Sequence, residues 1–142
     1  MSTLATKTGD LLGLKVPPQL GNIAEAVENS RRILDLPDNW DDEGSPAYST
    51  ITWERACVFQ LRSALGLLEK CGMVAPTPSI AHGPKGSADI YWRSSSFTLL
   101  LNVPSPVDQP IDYFGCKPDG TEIKGKLDPA LSNHWLLMWM TE

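Results

Sequence analysis

The residues best suited to chemistry lie in one short segment, 36–46, which reads LPDNWDDEGSP. Asp38, Asp41, Asp42 and Glu43 crowd around Trp40, and Gly44 and Pro46 close the run. Oxygen-rich loops of this kind hold hard cations. The spacing does not fit a calcium loop, because the ladder of carboxylates with a central Gly and a distal Glu is missing. Paired carboxylates also serve acid–base chemistry, but no neighbouring segment supplies a substrate cradle. His82 and His134 are the only histidines and stand 52 positions apart, without local metal-ligand spacing. Cys116 would have to meet one of them through the fold to make a cysteine–histidine pair. The chain has no nucleophile elbow, phosphate loop, zincin helix or dinucleotide fingerprint. The turn 83–87 (GPKGS) lacks the glycine pattern and the following helix of a phosphate loop, and reads as a sharp turn.

The elements around the acidic segment are helices. The first is expected over 22–35, with Asn22 and Glu25 forming a capping box and Pro37 ending it. The second is expected over 50–71, with Ser49 as N-cap, Tyr48 and Trp53 as a hydrophobic staple, and Gly72 as a left-handed stop. Between them Trp40 reads as a wedge that locks helix to helix, with Asp38 or Asn39 holding the turn. Asp42 and Glu43 exceed any such structural need. They make a partner-facing reading of Trp40, Asp41, Asp42 and Glu43 the sharper alternative, since a Trp among charges is a common interface composition.

Beyond residue 72 the period changes to two. Strands are expected over 79–82, 87–93, 97–103, 111–116 and 121–124. The short turns between them, Pro118-Asp119-Gly120 above all, dictate antiparallel pairing. Asp128-Pro129 reads as the start of a last helix, carrying Leu131, His134, Trp135, Met138 and Trp139 on one face. The order predicts an α+β fold, with two N-terminal helices and a C-terminal helix packed on a four- to five-stranded antiparallel meander. Residues 1–13 are expected to be flexible and 14–142 to form one domain. Trp135, Met138 and Trp139 crowd apolar bulk into this helix, which either closes the core of a small domain or leaves a second partner-binding candidate or a homodimer surface.

Composition narrows the function classes. Net charge is −5, with twelve basic and seventeen acidic residues, and the basic residues are scattered, which argues against nucleic acid. An acidic chain is better matched to a protein partner with a basic surface. No apolar run approaches the ~20 residues of a bilayer span, and residues 1–10 have no signal-peptide core, so a cytoplasmic location is expected. Cys57, Cys71 and Cys116 form no CxxC pair and are expected to be reduced, with Cys116 the most exposed.

Segment 36–46, followed by the helix that carries Trp53, resembles a motif of small uncharacterised bacterial and phage proteins that reads Leu-Pro-x-Asn-Trp-Asp-Gly-x-Gly. Leu36, Pro37, Asn39, Trp40, Asp41 and Gly44 match it, and Pro84-Lys85-Gly86 with Asp89, Ile90 and Trp92 resembles a second part. Asp42 stands where those proteins have Gly, and Lys85 where they have Asp. The resemblance covers the middle half of the chain. It implies no activity or cofactor and points toward a phage, mobile-element or defence setting.

These readings favour a non-enzymatic protein that recognises or inhibits another protein by occlusion, with no metal or cofactor. One alternative is a small metal-dependent hydrolase or nucleotide-handling enzyme using Asp41, Asp42, Glu43 and either His82 or His134. The other is a structural subunit of a larger assembly.

Overall fold

The computed structural model describes residues 9–38, 42, 49–131 and 133–141; the side chains of residues 9 and 10 are outside that description. The fold is α+β. Two N-terminal helices, α1 (Gly21–Ser30) and α2 (Thr50–Cys71), precede five strands and a short C-terminal helix, α3 (His134–Trp139).

Helix α2 forms where its signals place it. Ser49 accepts a hydrogen bond from the Ile51 N–H at 3.1 Å, and Gly72 closes the last turn at φ 66°, a conformation that costs a residue without Cβ little. The first helix departs from expectation. A 3-10 turn, Pro18–Leu20, runs directly into Gly21. Asn22 therefore lies inside the helix, and no side chain caps it. After Ser30 the chain tightens into a second 3-10 turn, Arg31–Asp35.

Ahead of these helices, β1 (Gly9–Leu11) pairs with β2 (Leu14–Val16) in a hairpin, and Leu11 and Val16 join the core. Leu12 (φ 53°) and Gly13 (φ 80°) make its turn. Leucine is not a turn signal, so sequence pattern does not mark this hairpin.

The main sheet is a meander of β3 (Ser79–His82), β4 (Ala88–Arg93), β5 (Thr98–Val103), β6 (Ile111–Cys116) and β7 (Glu122–Leu127), antiparallel throughout and paired in chain order. The turn before β4 needs two positive φ values, at Lys85 and Gly86. The pleat sorts the strands into two faces. Ile80, Ala88, Ile90, Trp92, Leu99, Leu101, Val103 and Ile111 point inward and are buried. Helix α1 packs beside β3, and α2 lies across β4 and β5. Helix α3 follows on the same side, docked against α2.

Close contacts fix these helices. The Trp53 indole N–H donates to Ser30 Oγ at 2.9 Å, Ser30 Oγ donates to the Val27 carbonyl at 2.6 Å, and the Arg31 guanidinium sits 4.6 Å from the Trp53 ring. Trp53 thus ties the first two helices together. Burial beside this contact pushes the Cys57 thiol up to about 12. The Asn133 N–H donates to Ser63 Oγ at 3.0 Å, tying the start of α3 to α2.

The last helix is shorter than its sequence pattern suggests. Asp128 Oδ1 accepts from the Ala130 N–H and the Asp128 carbonyl from the Leu131 N–H. The Asp-Pro signal thus makes a separate turn, and α3 begins only at His134. Its buried residues are Leu136, Leu137 and Trp139, followed by Met140. Trp139 meets Phe97 edge to face at 6.3 Å and fills the space over Gly115, where a Cβ would come within 2.9 Å of the indole ring.

Candidate functional site

A groove runs along the solvent side of α2, opposite the turn that follows β7. Ile51, Glu54, Arg55, Val58 and Arg62 line its helical wall, and Pro129 and Leu131 the other, around about 290 Å³. The spacing of the helical residues, at intervals of three and four, places them on one stripe. Ile51 and Leu131 are each 61% exposed, unusual for side chains of that size that already face each other across a groove. Arg55 is anchored: its Nη1 donates to the Pro104 carbonyl at 2.9 Å. Its Nη2 is buried without a hydrogen-bond partner among the described residues, and desolvation lowers its pKa. The groove combines an apolar floor with a charged rim of Glu54, Arg55 and Arg62.

The residues singled out by sequence distribute as follows. Trp40, Asp41 and Glu43, with Tyr48 of the expected staple, lie outside the described residues. Asp42 is exposed, with φ 60°, a region that Asp tolerates and Gly favours. Trp135 is 48% exposed; its indole N–H donates to Asn133 Oδ1 at 2.6 Å, and its ring meets Tyr113 edge to face at 6.1 Å. Met138 is half-buried, with its sulfur 3.7 Å from Cys71 Sγ. Trp139 belongs to the core at 8% exposure, with the Lys117 ammonium 4.8 Å from its ring. It is therefore a packing residue, and Trp135 alone of the two offers a large exposed aromatic surface.

Among the described residues, Cys116 and the two histidines are not brought together. Cys116 accepts or donates a hydrogen bond with Thr98 Oγ1 at 3.3 Å on the sheet face away from the helices. His134 opens α3 on the opposite side, where Gly66 of α2 approaches its Cβ. His82 ends the edge strand β3. The described residues contain no group of three or more His, Cys, Asp or Glu side chains placed to hold a metal ion. The exposed thiol is Cys71; Cys116 is half-buried. No helix among the described residues is long and apolar enough to cross a membrane.

A polar cluster lies beside the turn that precedes β4. Asn102 Nδ2 donates both to Ser87 Oγ at 2.9 Å and to Asp89 Oδ1 at 2.8 Å. Desolvation raises the Asp89 pKa, against the opposing effects of Asn102 and His82. Ser87 Oγ in turn donates to the Pro84 carbonyl at 2.7 Å. The cluster pins the turn before β4 to the central strand, a structural task that accounts for all three side chains.

Comparison of the chain with family models, curated proteins and solved structures found no match.

The groove itself could not be read from the sequence. Ile51 and Leu131 are 80 positions apart, and only the return of the chain after β7 brings their walls together. A weak local signal existed in Ile51, an apolar residue one step off the buried stripe of α2.

Proposed function

We propose that this protein is a non-enzymatic binding protein that recognises another protein and acts by occluding its surface. The observation that carries the reading is the α2 groove, where exposed Ile51 and Leu131 face each other within a rim of Glu54, Arg55 and Arg62. The partner would insert an apolar segment there, and the contact energy would come from a few large side chains. Trp135, four residues beyond Leu131 and 48% exposed, would add a further apolar contact. The net charge of −5 and the acids Asp41, Asp42 and Glu43 would steer a partner with basic groups around that segment.

The test compares affinity capture by the wild-type chain with capture by Leu131→Asp and Asp42→Gly, each confirmed folded by circular dichroism. Leu131 is exposed, so the first variant leaves the core intact. Glycine suits the backbone at residue 42, so the second removes only a carboxylate. The proposal expects a stoichiometric protein partner that Leu131→Asp loses and Asp42→Gly binds more slowly. A partner retained equally by Leu131→Asp, or no stoichiometric partner at all, would overturn it.

A further inference from the structure

The sheet face turned away from the helices is complementary to itself. Three rows cross it from β4 to β7. The first holds Arg93, Thr98, Cys116 and Glu122; the second Tyr91, Leu100, Phe114 and Lys124; the third Asp89, Asn102, Asp112 and Lys126. Leu100 and Phe114, direct cross-strand partners at the centre, remain 40% and 43% exposed. Arg93 belongs to this face, with its guanidinium 5.9 Å from the Tyr91 ring. Shallow hollows lie on both sides of Phe114, one bounded by Tyr91, Arg93, Thr98 and Leu100, the other by Asp112, Lys124 and Lys126.

We infer that this face binds a second copy of the chain. Consider two sheets stacked face to face, about 10 Å apart, with a twofold axis running along the strands between β5 and β6. That operation places β4 of one copy over β7 of the other, and β5 over β6. Each row then meets its own reverse. Arg93 faces Glu122 and Asp89 faces Lys126, so both ends pair opposite charges. Tyr91 faces Lys124, a ring against an ammonium. Leu100 faces Phe114 in the middle, and Asn102, whose two amide hydrogens are held by Ser87 and Asp89, lies opposite Asp112 as a neutral neighbour. No row brings like charges together. A partner of arbitrary sequence would have no reason to match three rows at once, whereas an isologous dimer needs only this one surface.

The footprint sets the strength. Four strands ~4.8 Å apart and six residues long cover roughly 400 Å² per copy in projection. Side-chain relief raises the total buried by both copies toward the ~1,200 Å² at which specific interfaces begin. The dimer is therefore weak and reversible. It uses a surface separate from the α2 groove and does not rest on the binding function proposed above.

Sedimentation equilibrium of the full chain over a range of concentrations tests it. Wild type is expected to pass reversibly from monomer to dimer. Phe114→Lys should remain monomeric. Arg93→Glu and Glu122→Arg should each weaken dimerisation roughly tenfold, because every substitution changes two symmetric contacts. The double variant Arg93→Glu/Glu122→Arg exchanges the charges and should recover most of the wild-type dimerisation. A wild-type chain monomeric at sub-millimolar concentration, a dimer indifferent to the reversals, or a double variant no better than the single ones would each overturn the inference.

Discussion

The two faces of one sheet carry different burdens. Along β5, Leu99, Leu101 and Val103 point inward and are fully buried, while Leu100, between them, lies 40% exposed. The strand is the same and the residue type is the same, yet only the inward leucines contact the helices. On the inner face apolar side chains exclude water and hold α1, α2 and α3 in place. On the outer face apolar residues occupy a central row and charged ones the flanks, an arrangement that contributes little to the fold and is suited to contact.

The largest effect expected from this difference lies within β5. Leu101→Ala should cost about 2–5 kcal/mol, as buried leucines do, whereas Leu100→Ala should stay within about 0.5 kcal/mol, as exposed substitutions do. Chemical denaturation of the two variants measures both. Equal losses would erase the distinction between the faces.

A second prediction sharpens the inner side. Gly115 has no Cβ because Trp139 and Leu99 occupy that space, with the indole 2.9 Å and Leu99 Cδ1 3.1 Å from where one would stand. Gly115→Ala should destabilise the fold by about 1–3 kcal/mol through overpacking, read from the thermal midpoint. An unchanged midpoint would show that α3 packs more loosely than the contacts indicate.

The smallest effect concerns the outer polar cluster. Burial raises the Asp89 pKa above its ordinary carboxylate value. A raised acid favours the folded state only while protonated. Its contribution is thus lost as pH rises through the carboxylate range, from the unfolded value to the folded one. Asp89→Asn keeps an oxygen for Asn102 and carries no charge. Relative to this variant, wild-type stability should fall slightly as pH rises through that window and then stay level to neutrality. A wild type that gains stability over the variant in that window would reverse the sign and refute the attribution to burial.

Much of this architecture was legible in the residues. Helix α2 was marked at both ends, by Ser49 and Gly72, and β3 and β6 by alternation between clear turns. The start of α1 is hidden in the sequence because Asn22 and Glu25 imitate a capping box, whereas the 3-10 turn at Pro18–Leu20 already delivers the chain in helical geometry. Asp128-Pro129 misled in the same way, since an aspartate that caps a turn looks in sequence like one that caps a helix. Trp139 read as surplus bulk because nothing local shows that Gly115, 24 positions earlier, leaves room for it. The outer face was out of reach for a related reason. Leu100 alone was visible as an apolar residue out of phase, but the reversed order of its rows exists only once the register of four strands is fixed.

The division of labour between the faces is tested most directly by measuring the solution mass and thermal midpoint of Leu100→Lys beside wild type in one sedimentation and melting series. The account predicts that wild type approaches twice the 15.6 kDa chain mass as concentration rises, while Leu100→Lys stays at the chain mass and melts at the wild-type monomer's temperature. A variant that dimerises like wild type, or one that no longer folds, would contradict it.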